Sequence, residues 1–339
     1  MDKVLFTIIL PTYNCEEYII RTLDSIVEQD KRLYECIVVD GLSKDNTLGI
    51  VKEYSNKYSN VKYIAEKDEG VYDAMNKGIR VAAGEYLYFI GAGDTLYLDI
   101  LKNLKDEINN EDLICGMSYH VGRKFYFMPP KKREDGIYLL FNHQAIFYKR
   151  KVFDIVGDYD SKYKIYADNV LNKKIIGNYK LTIKSTNIKI AKYLGNGISE
   201  SESDASIKND FAKIVIDSFG REYLKSLYIK KININKINSK KIIAWGTGGE
   251  YEKSSKIKEF DINYFIESNP KKNIYKDKVV KHRKELLKEN KENILILVYS
   301  VVYYQEIRAW LEENGFAEFK NFILMNDDII NLLKEINLL

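Results

Sequence analysis

Four short segments place oxygen-bearing side chains directly behind apolar runs. VLFTIIL (4–10) is followed by Pro11, Thr12, Tyr13 and Asn14, and CIVVD (36–40) ends on Asp40 and leads into DGLSKDNT. VKYIAE (61–66) leads into Glu66 to Gly70, and EYLYFI (85–90) leads into Gly91 to Asp94. A carboxylate at the end of a central strand suits a hard divalent cation, Mg²⁺ or Mn²⁺, which shares its shell between carboxylate oxygen and the phosphates of a substrate. Asp94 suits that task. Asp45, inside the Ser/Asp-rich loop, reads as a satisfier of loop amides. No Ser/His/Asp or Cys/His constellation is present. His120, His143 and His282, with Cys15, Cys36 and Cys115, offer no local zinc spacing.

These segments need a frame. Residues 4–10 and 36–40 read as buried strands of a parallel sheet. Residues 16–29 carry Ile19, Ile20, Leu23, Ile26 and Val27 at helical spacing. Helices over 47–58 and 71–81, the second stopping near Gly84, alternate with strands over 61–66 and 85–90. Such alternation predicts a doubly wound α/β layer with its ligands at the carboxyl ends of the strands. Strands are expected near 112–118, 124–128, 144–148 and 181–190, a helix over 206–230, and an Asn/Lys-rich linker over 233–240. A second α/β series follows, with strands at 240–245, 262–266 and 293–299 and a helix over 303–314.

Composition sets the outer bounds. The chain has 339 residues, enough for two or three compact units. Lys plus Arg number 53 against 49 Asp plus Glu, a net charge of +4 that argues against a nucleic-acid partner. Lys-rich stretches at Lys131 to Arg133 and Lys271 to Lys276 read first as solvated loops and second as contacts for phosphates or an anionic membrane face. Three dispersed cysteines, without a CxxC pair, point to a reducing compartment. The chain shows no leader-like opening and no apolar run long enough to span a bilayer, so the expectation is a cytoplasmic protein.

The motifs TIILPTYN, SIVEQ, IVVDGLSKDNT, EKDEGVYDAMNKGI, AAGEYLYFIGAGD, HQAIFYKRKVF and GDYDSKYKIYAD occur in this order on the elements described. Over roughly the first two hundred residues the chain therefore resembles the family 2 glycosyltransferases, which have the GT-A fold. The resemblance implies inverting transfer of a sugar from a nucleotide-sugar donor, most commonly a UDP-sugar, to an acceptor hydroxyl. It places Thr12 and Tyr13 against the nucleoside base and Asp40 on base or ribose, and it puts Asp68 and Gly70 along the donor pocket. Asp73 and Asn76 face the sugar or brace the loop, and Pro11, Ala92 and Gly93 complete the donor side. Asp94 becomes the metal ligand, for Mn²⁺ or Mg²⁺, and Asp168 the general base. His143 and Gln144 match a His-Gln pair on the acceptor side. Three features depart from the pattern. Gly93 stands where many relatives carry the first acid of the metal motif, Gly91 where Asn is commoner, and Asn169-Val170 where an aromatic and a second acid are frequent.

The expected architecture is thus α/β: a GT-A type doubly wound mixed sheet, a helical linker, and a second, smaller Rossmann-like α/β domain. The boundaries are 1–205 for the transferase domain (1–98 nucleotide-binding half, 99–205 acceptor half), 206–238 for the linker and 239–339 for the C-terminal domain. In that domain WGTGGEY follows a strand, and Glu267 ends the next strand about twenty residues on. A third fingerprint glycine would fall at 251, where Tyr251 stands. A packing or partner-docking role is therefore weighed above a bound dinucleotide, and Tyr303, Tyr304, Ile307 and Trp310 read as core. The expected partners are a nucleotide-sugar donor and a saccharide, glycolipid or other hydroxyl acceptor. Peripheral contact with the inner membrane face and an oligomer formed through the C-terminal domain stay open. The competing reading is a non-catalytic nucleotide-sugar-binding or scaffold protein of a glycan assembly pathway.

Overall fold

The computed structural model describes residues 4–138, 141–195, 205–229, 240–247, 251, 260–300 and 303–339. These fall into two compact units, drawn from 1–136 with 140–207 and from 137–139 with 208–339. The first unit contains β1 (Phe6–Thr12), α1 (Glu16–Val27), β2 (Tyr34–Asp40), α2 (Thr47–Lys57), β3 (Val61–Ala65), α3 (Val71–Val81) and β4 (Tyr86–Phe89). It continues through β5 (Thr95–Leu96), α4 (Ile100–Glu107), β6 (Leu113–His120), β7 (Phe125–Phe127), the first residues of the short α5 (Asp135–Tyr138), β8 (Ile146–Lys149), α6 (Lys151–Val156), α7 (Ala167–Gly177) and β9 (Ile183–Tyr193).

The sheet order is β3-β2-β1-β4-β8-β6-β9-β5, with β7 paired to β6. β3, β2, β1 and β4 run parallel, so their carboxyl ends lie along one edge. β8 runs antiparallel to both β4 and β6, which turns the sheet into a mixed one. The apolar runs explain the layering. Every residue of β1 and β2 is buried, as strands covered on both faces must be. On one face Ile19, Leu23 and Ile26 of α1 join Leu101 and Leu104 of α4 in a core with Ile8, Leu10 and Val38. Each such side chain contributes about 1.5–3 kcal/mol through burial. β1 runs through Pro11 rather than stopping at it, because β4 pairs no further than Ile9↔Phe89 and the missing amide is not called upon there. The helix after Asp94 begins at Ile100 behind Asp99, so Asp94 is not its cap.

The second unit holds most of α8 (Ala205–Phe219), then α9 (Arg221–Leu227), β10 (Lys241–Trp245), β11 (Tyr264–Glu267), β12 (Ile274–Tyr275), β13 (Lys278–His282), β14 (Ile294–Val298), α10 (Tyr304–Glu313), β15 (Phe322–Leu324) and α11 (Asp327–Glu335). Its sheet order is β12-β13-β11-β10-β14-β15, parallel except for β12. Numbered from β10, the parallel strands read 3-2-1-4-5, a Rossmann-like arrangement. The single helix expected over 206–230 is broken at Gly220, whose φ of +84° leaves the helical region. Tyr228, just past α9, lies edge-on to Phe319, with ring centroids 6.0 Å apart. Residues 231–239, nearly all of the expected Asn/Lys-rich linker, lie outside the described residues. Tyr304 and Ile307 are buried as core, whereas Tyr303 is 61% exposed.

Candidate active site

Two groups of side chains sit at the carboxyl edge of the first sheet. The first surrounds Asp40, fully buried where β2 ends. The Thr12 hydroxyl donates to Asp40 Oδ2 at 3.1 Å, and Ser43 donates its amide to Oδ1 at 2.9 Å and its hydroxyl to Oδ2 at 2.6 Å. The loops after β1 and β2 are stitched together: Asn14 N donates to Ser43 Oγ, and Lys44 N to Asn14 Oδ1. Asp45 accepts from the amides of Glu16 and Thr47, at 3.0 Å each, which matches its reading as a loop brace. This stitching holds Tyr13 outward, 56% exposed, beside Thr12. Gly41 follows Asp40 and presses on Asp68, since a Cβ there would lie 2.3 Å from Asp68 Oδ2. Burial raises the Asp68 carboxyl above its ordinary value, reinforced by the charges of Asp73 and Asp40.

The second group surrounds Asp94 and Asp168. Asp94 is 4% exposed; its Oδ1 accepts from Leu194 N and its Oδ2 from Gln144 Nε2, each at 2.8 Å. Burial pushes its carboxyl up to about 6, against the pull of those two donors and of His143. Thr22 of α1 fixes the loop, accepting from Gly93 N at 2.8 Å and donating to the Asp94 carbonyl at 2.7 Å. Asp168 sits in the first turn of α7. Its Oδ2 lies 3.0 Å from His143 Nδ1, and its Oδ1 accepts from Tyr72 at 2.9 Å and from Asn169 Nδ2 at 3.3 Å. His143 Nδ1 donates in this contact when that nitrogen carries the ring proton. Burial, then the Asp168 charge, raises the Tyr72 phenol well above its ordinary value, so it stays a donor, its one proton shared between Asp168 and the Ile165 carbonyl. Asn142 caps the 3₁₀ turn His143–Ala145 by accepting from Gln144 N at 2.9 Å. One turn of chain thus carries two consecutive residues, one on each carboxylate.

Helix α3 ties the groups together. Asp68 and Gly70 precede it on the Asp40 side, and Tyr72 in its first turn reaches Asp168. β1 separates β2 from β4, so the two carboxyl ends lie about 10 Å apart, two strand spacings.

The expected site residues divide accordingly. Thr12, Tyr13, Asp40, Asp68 and Gly70 collect around the first group, with Pro11 buried in β1 behind them. Gly93, Asp94, His143, Gln144 and Asp168 belong to the second, and Ala92 lies in the loop between β4 and Asp94. Asp73 is turned to its own helix start: although burial opposes it, the Glu69 amide (3.1 Å) and the Lys77 ammonium (3.3 Å) hold its carboxyl low. Asn76 spends both ends of its amide on the Tyr159 backbone, at 2.9 and 3.0 Å, and so braces the chain before α7. Asn169, a departure from the family pattern, positions Asp168 and also accepts from Phe141 N at 3.2 Å. Tyr72, Thr22 and Asn142 were missed by the sequence reading. Tyr72 lay within a quoted motif, and its signal was a tyrosine on the face of an amphipathic helix that must bury its hydroxyl.

Comparison with known proteins accords with this geometry. The model of Glycosyl transferase family 2 matches residues 7–173. A PGL/p-HBAD biosynthesis glycosyltransferase of Mycobacterium tuberculosis is 34% identical over 220 residues, covering 60% of this chain and 83% of that protein. The chain belongs to the family 2 glycosyltransferases. This glycosyltransferase is also 35% identical over 124 residues to the poly(ribitol-phosphate) beta-N-acetylglucosaminyltransferase TarS of Staphylococcus aureus, across 35% of this chain and 22% of that protein. Its fold is that of S. aureus TarS 1–349 in complex with UDP-GlcNAc, with a TM-score of 0.54 at 20% identity over 69% of this chain and 79% of that one. The enzyme therefore has a GT-A type mixed sheet, with a second α/β domain behind it in the sequence.

The glycosyltransferase's C-terminal unit has its own acid at a strand end. Glu267 Oε1 accepts from the amide of Thr247 at 3.2 Å and from its hydroxyl. Tyr251 is buried against Phe265, Tyr275 and Tyr299. Gly248 and Gly249 of the expected fingerprint lie outside the described residues. All three cysteines are unpaired. Burial raises the thiols of Cys36 and Cys115 to about 12, so neither is a nucleophile at neutral pH.

Proposed function

We propose that the chain transfers a sugar with inversion from a UDP-sugar to the hydroxyl of a saccharide, glycolipid or other glycan acceptor. The observation that carries this reading is the His143-Gln144 turn, which ties Asp94, five residues past β4, to Asp168 at the start of α7. In this reading Thr12, Tyr13 and Asp40 receive the nucleoside, and Asp68 and Gly70 line the path to the diphosphate with Pro11, Ala92 and Gly93. Asp73 acts by bracing the start of α3, and Asn76 by bracing the chain before α7.

Mn²⁺ or Mg²⁺ is assigned to Asp94, tested against its donor set. Among the described residues no group of three or more His, Cys, Asp or Glu side chains converges to hold an ion. Asp94 supplies one carboxylate with a lone pair left on each oxygen, which fits an ion that takes its remaining ligands from the donor diphosphate and water. The bound cation would neutralise charge on the leaving diphosphate.

Asp168, held by Tyr72, Asn169 and His143, takes the proton of the acceptor hydroxyl. The freed oxygen forms its bond to the anomeric carbon on the face opposite the diphosphate. The bond from that carbon to the phosphate oxygen breaks, and the electron pair leaves with the diphosphate. His143 keeps the base oriented, and Gln144 does the same for Asp94. A lipid-borne acceptor would place the protein peripherally at the cytoplasmic face of a membrane. Among the described residues no helix is long and apolar enough to cross one.

The deciding experiment pairs a thermal-shift screen of nucleotide sugars, with and without Mn²⁺, with proton NMR of the product anomer. UDP-sugars should raise the melting temperature most when Mn²⁺ is present, and the product should carry the inverted configuration. Retained configuration, or full activity in Asp168→Asn, would remove this mechanism.

A further inference from the structure

The chain as a whole is nearly neutral, yet two of its segments contain no acid. Residues 113–133 carry Arg123, Lys124, Lys131, Lys132 and Arg133, and residues 169–195 carry Lys173, Lys174, Lys180, Lys184, Lys189 and Lys192, without a single Asp or Glu in either. The fold pairs these segments, because β6 lies between β7 and β9. Tyr126 of β7 sits opposite Tyr119 of β6, Tyr119 opposite Lys192 of β9, and Lys192 opposite Thr95 of β5. Cross-strand partners share a face. The two tyrosine rings lie 4.9 Å apart, the Lys189 ammonium stands 5.2 Å from the Tyr126 ring, and that of Lys192 stands 5.2 Å from the Tyr97 ring. The other face of the same strands turns inward, with His120 and Tyr193 buried against each other. At the two ends of the β6–β7 hairpin Val121 and Met128 are 39% and 40% exposed.

We propose that this face, with the β6–β7 hairpin as its leading edge, docks on an anionic lipid bilayer. Each feature has its counterpart there. Tyrosines sit at headgroup depth, lysines reach phosphates over the rings, and large exposed apolar side chains enter the acyl boundary. A hydrated soluble polyanion would satisfy the lysines but would not desolvate Val121 and Met128. The far end of β9 is neutralised, Lys184 being paired with Glu107 at 3.7 Å, and the Arg133 guanidinium is committed to the carbonyls of Ile176, Asn178 and Leu181. The active elements of the surface are therefore Lys124, Lys189 and Lys192 with the aromatic row. The strands that bear it also hold Asp94, since Thr95 follows that residue and Leu194 N binds it. The purpose of the docking rests on the reading of a lipid-borne acceptor; its measurement does not.

The test is co-sedimentation of the purified full chain with phosphatidylcholine vesicles, with and without phosphatidylglycerol. Binding is expected to the anionic vesicles alone, with release by salt. Replacing Lys124, Lys189 and Lys192 together by Gln should lower the partition coefficient on the order of a hundredfold, and Met128→Ser roughly tenfold. Both variants should keep the wild-type melting temperature and full transfer to a soluble acceptor. Equal binding to neutral and anionic vesicles, or unchanged partition of the triple variant, overturns the proposal. So does lysine-dependent binding to soluble polyphosphate in a protein that ignores vesicles. Partition is read without donor, so a failure of the sugar-transfer reading shows in the NMR product assay and leaves this measurement intact.

Discussion

The two units begin alike. In each, the first parallel strand lies between the second and the fourth, and the second strand ends on an acid. In each, a threonine just past or at the end of the first strand donates its hydroxyl to that acid: Thr12 to Asp40, and Thr247 to Glu267. The difference lies in what is added. The first unit extends its parallel half with the antiparallel β8 and with β6 and β9. That extension delivers Gln144 and Leu194 to Asp94 and, with α7, presents Asp168 to His143 and Tyr72. The second unit adds parallel β15 and antiparallel β12, and no second carboxylate joins Glu267 among its described strand ends. A strand edge ending on a threonine-bound acid is thus common to both units, and in the proposed reading the chemistry resides in the carboxylate pair built beside it in the first.

The comparison breaks most sharply at Asp168. Asp168→Asn is expected to lower kcat about a thousandfold, while the donor-induced rise in melting temperature survives. Kinetics beside thermal shift would check it, and loss of donor binding would show that the two groups do not act separately.

Asp94→Asn should abolish transfer yet stabilise the donor-free protein. The carboxyl is raised to about 6 by burial, so its folded-state value lies above its unfolded one. The stability tied to its protonated form is present below about pH 4 and is lost as pH rises through about 6. At neutral pH the asparagine, with the Gln144 amide turned over to accept from it, should recover up to about 3 kcal/mol. Unfolding curves at pH 4 and pH 7.5 test this: a gain equal at both would refute the assignment.

A smaller effect is expected from Tyr72→Phe, which removes a charge-assisted hydrogen bond worth about 1.5–3 kcal/mol. The fall should be roughly tenfold to a hundredfold in kcat, with donor KM unchanged. A change in KM alone would assign Tyr72 to the donor side. The smallest effect separates the two scaffolds directly. Asp40→Asn should erase the thermal shift given by UDP-sugars, whereas Glu267→Gln should leave both the shift and turnover as they are. A lost shift in Glu267→Gln would make the second unit a donor site as well.

Much of the parallel half was readable from the chain. Buried runs such as CIVVD can be little else but central strands, and helix α3 was bounded at 71 and 81 by its own apolar spacing. Loop acids directly behind such strands, Asp40 above all, fall at the carboxyl edge by topology alone. The irregular half was less legible. β5 has two residues, too few for any period to register, and α7 carries only weak amphipathicity because nearly all its residues are buried. Local pattern likewise left Asn76 undecided between donor and brace, and it could not show that Tyr72 reaches Asp168 across more than ninety residues.

The sequence by itself determined the strands, the order of the motifs and the chemical types available, because periodicity and side-chain chemistry are local properties. Tertiary structure decided which carboxylates meet, which are already spent on amides, and that two acid-free segments form one sheet face. Those outcomes depend on pairings between residues far apart in the chain, and no window of sequence contains both partners.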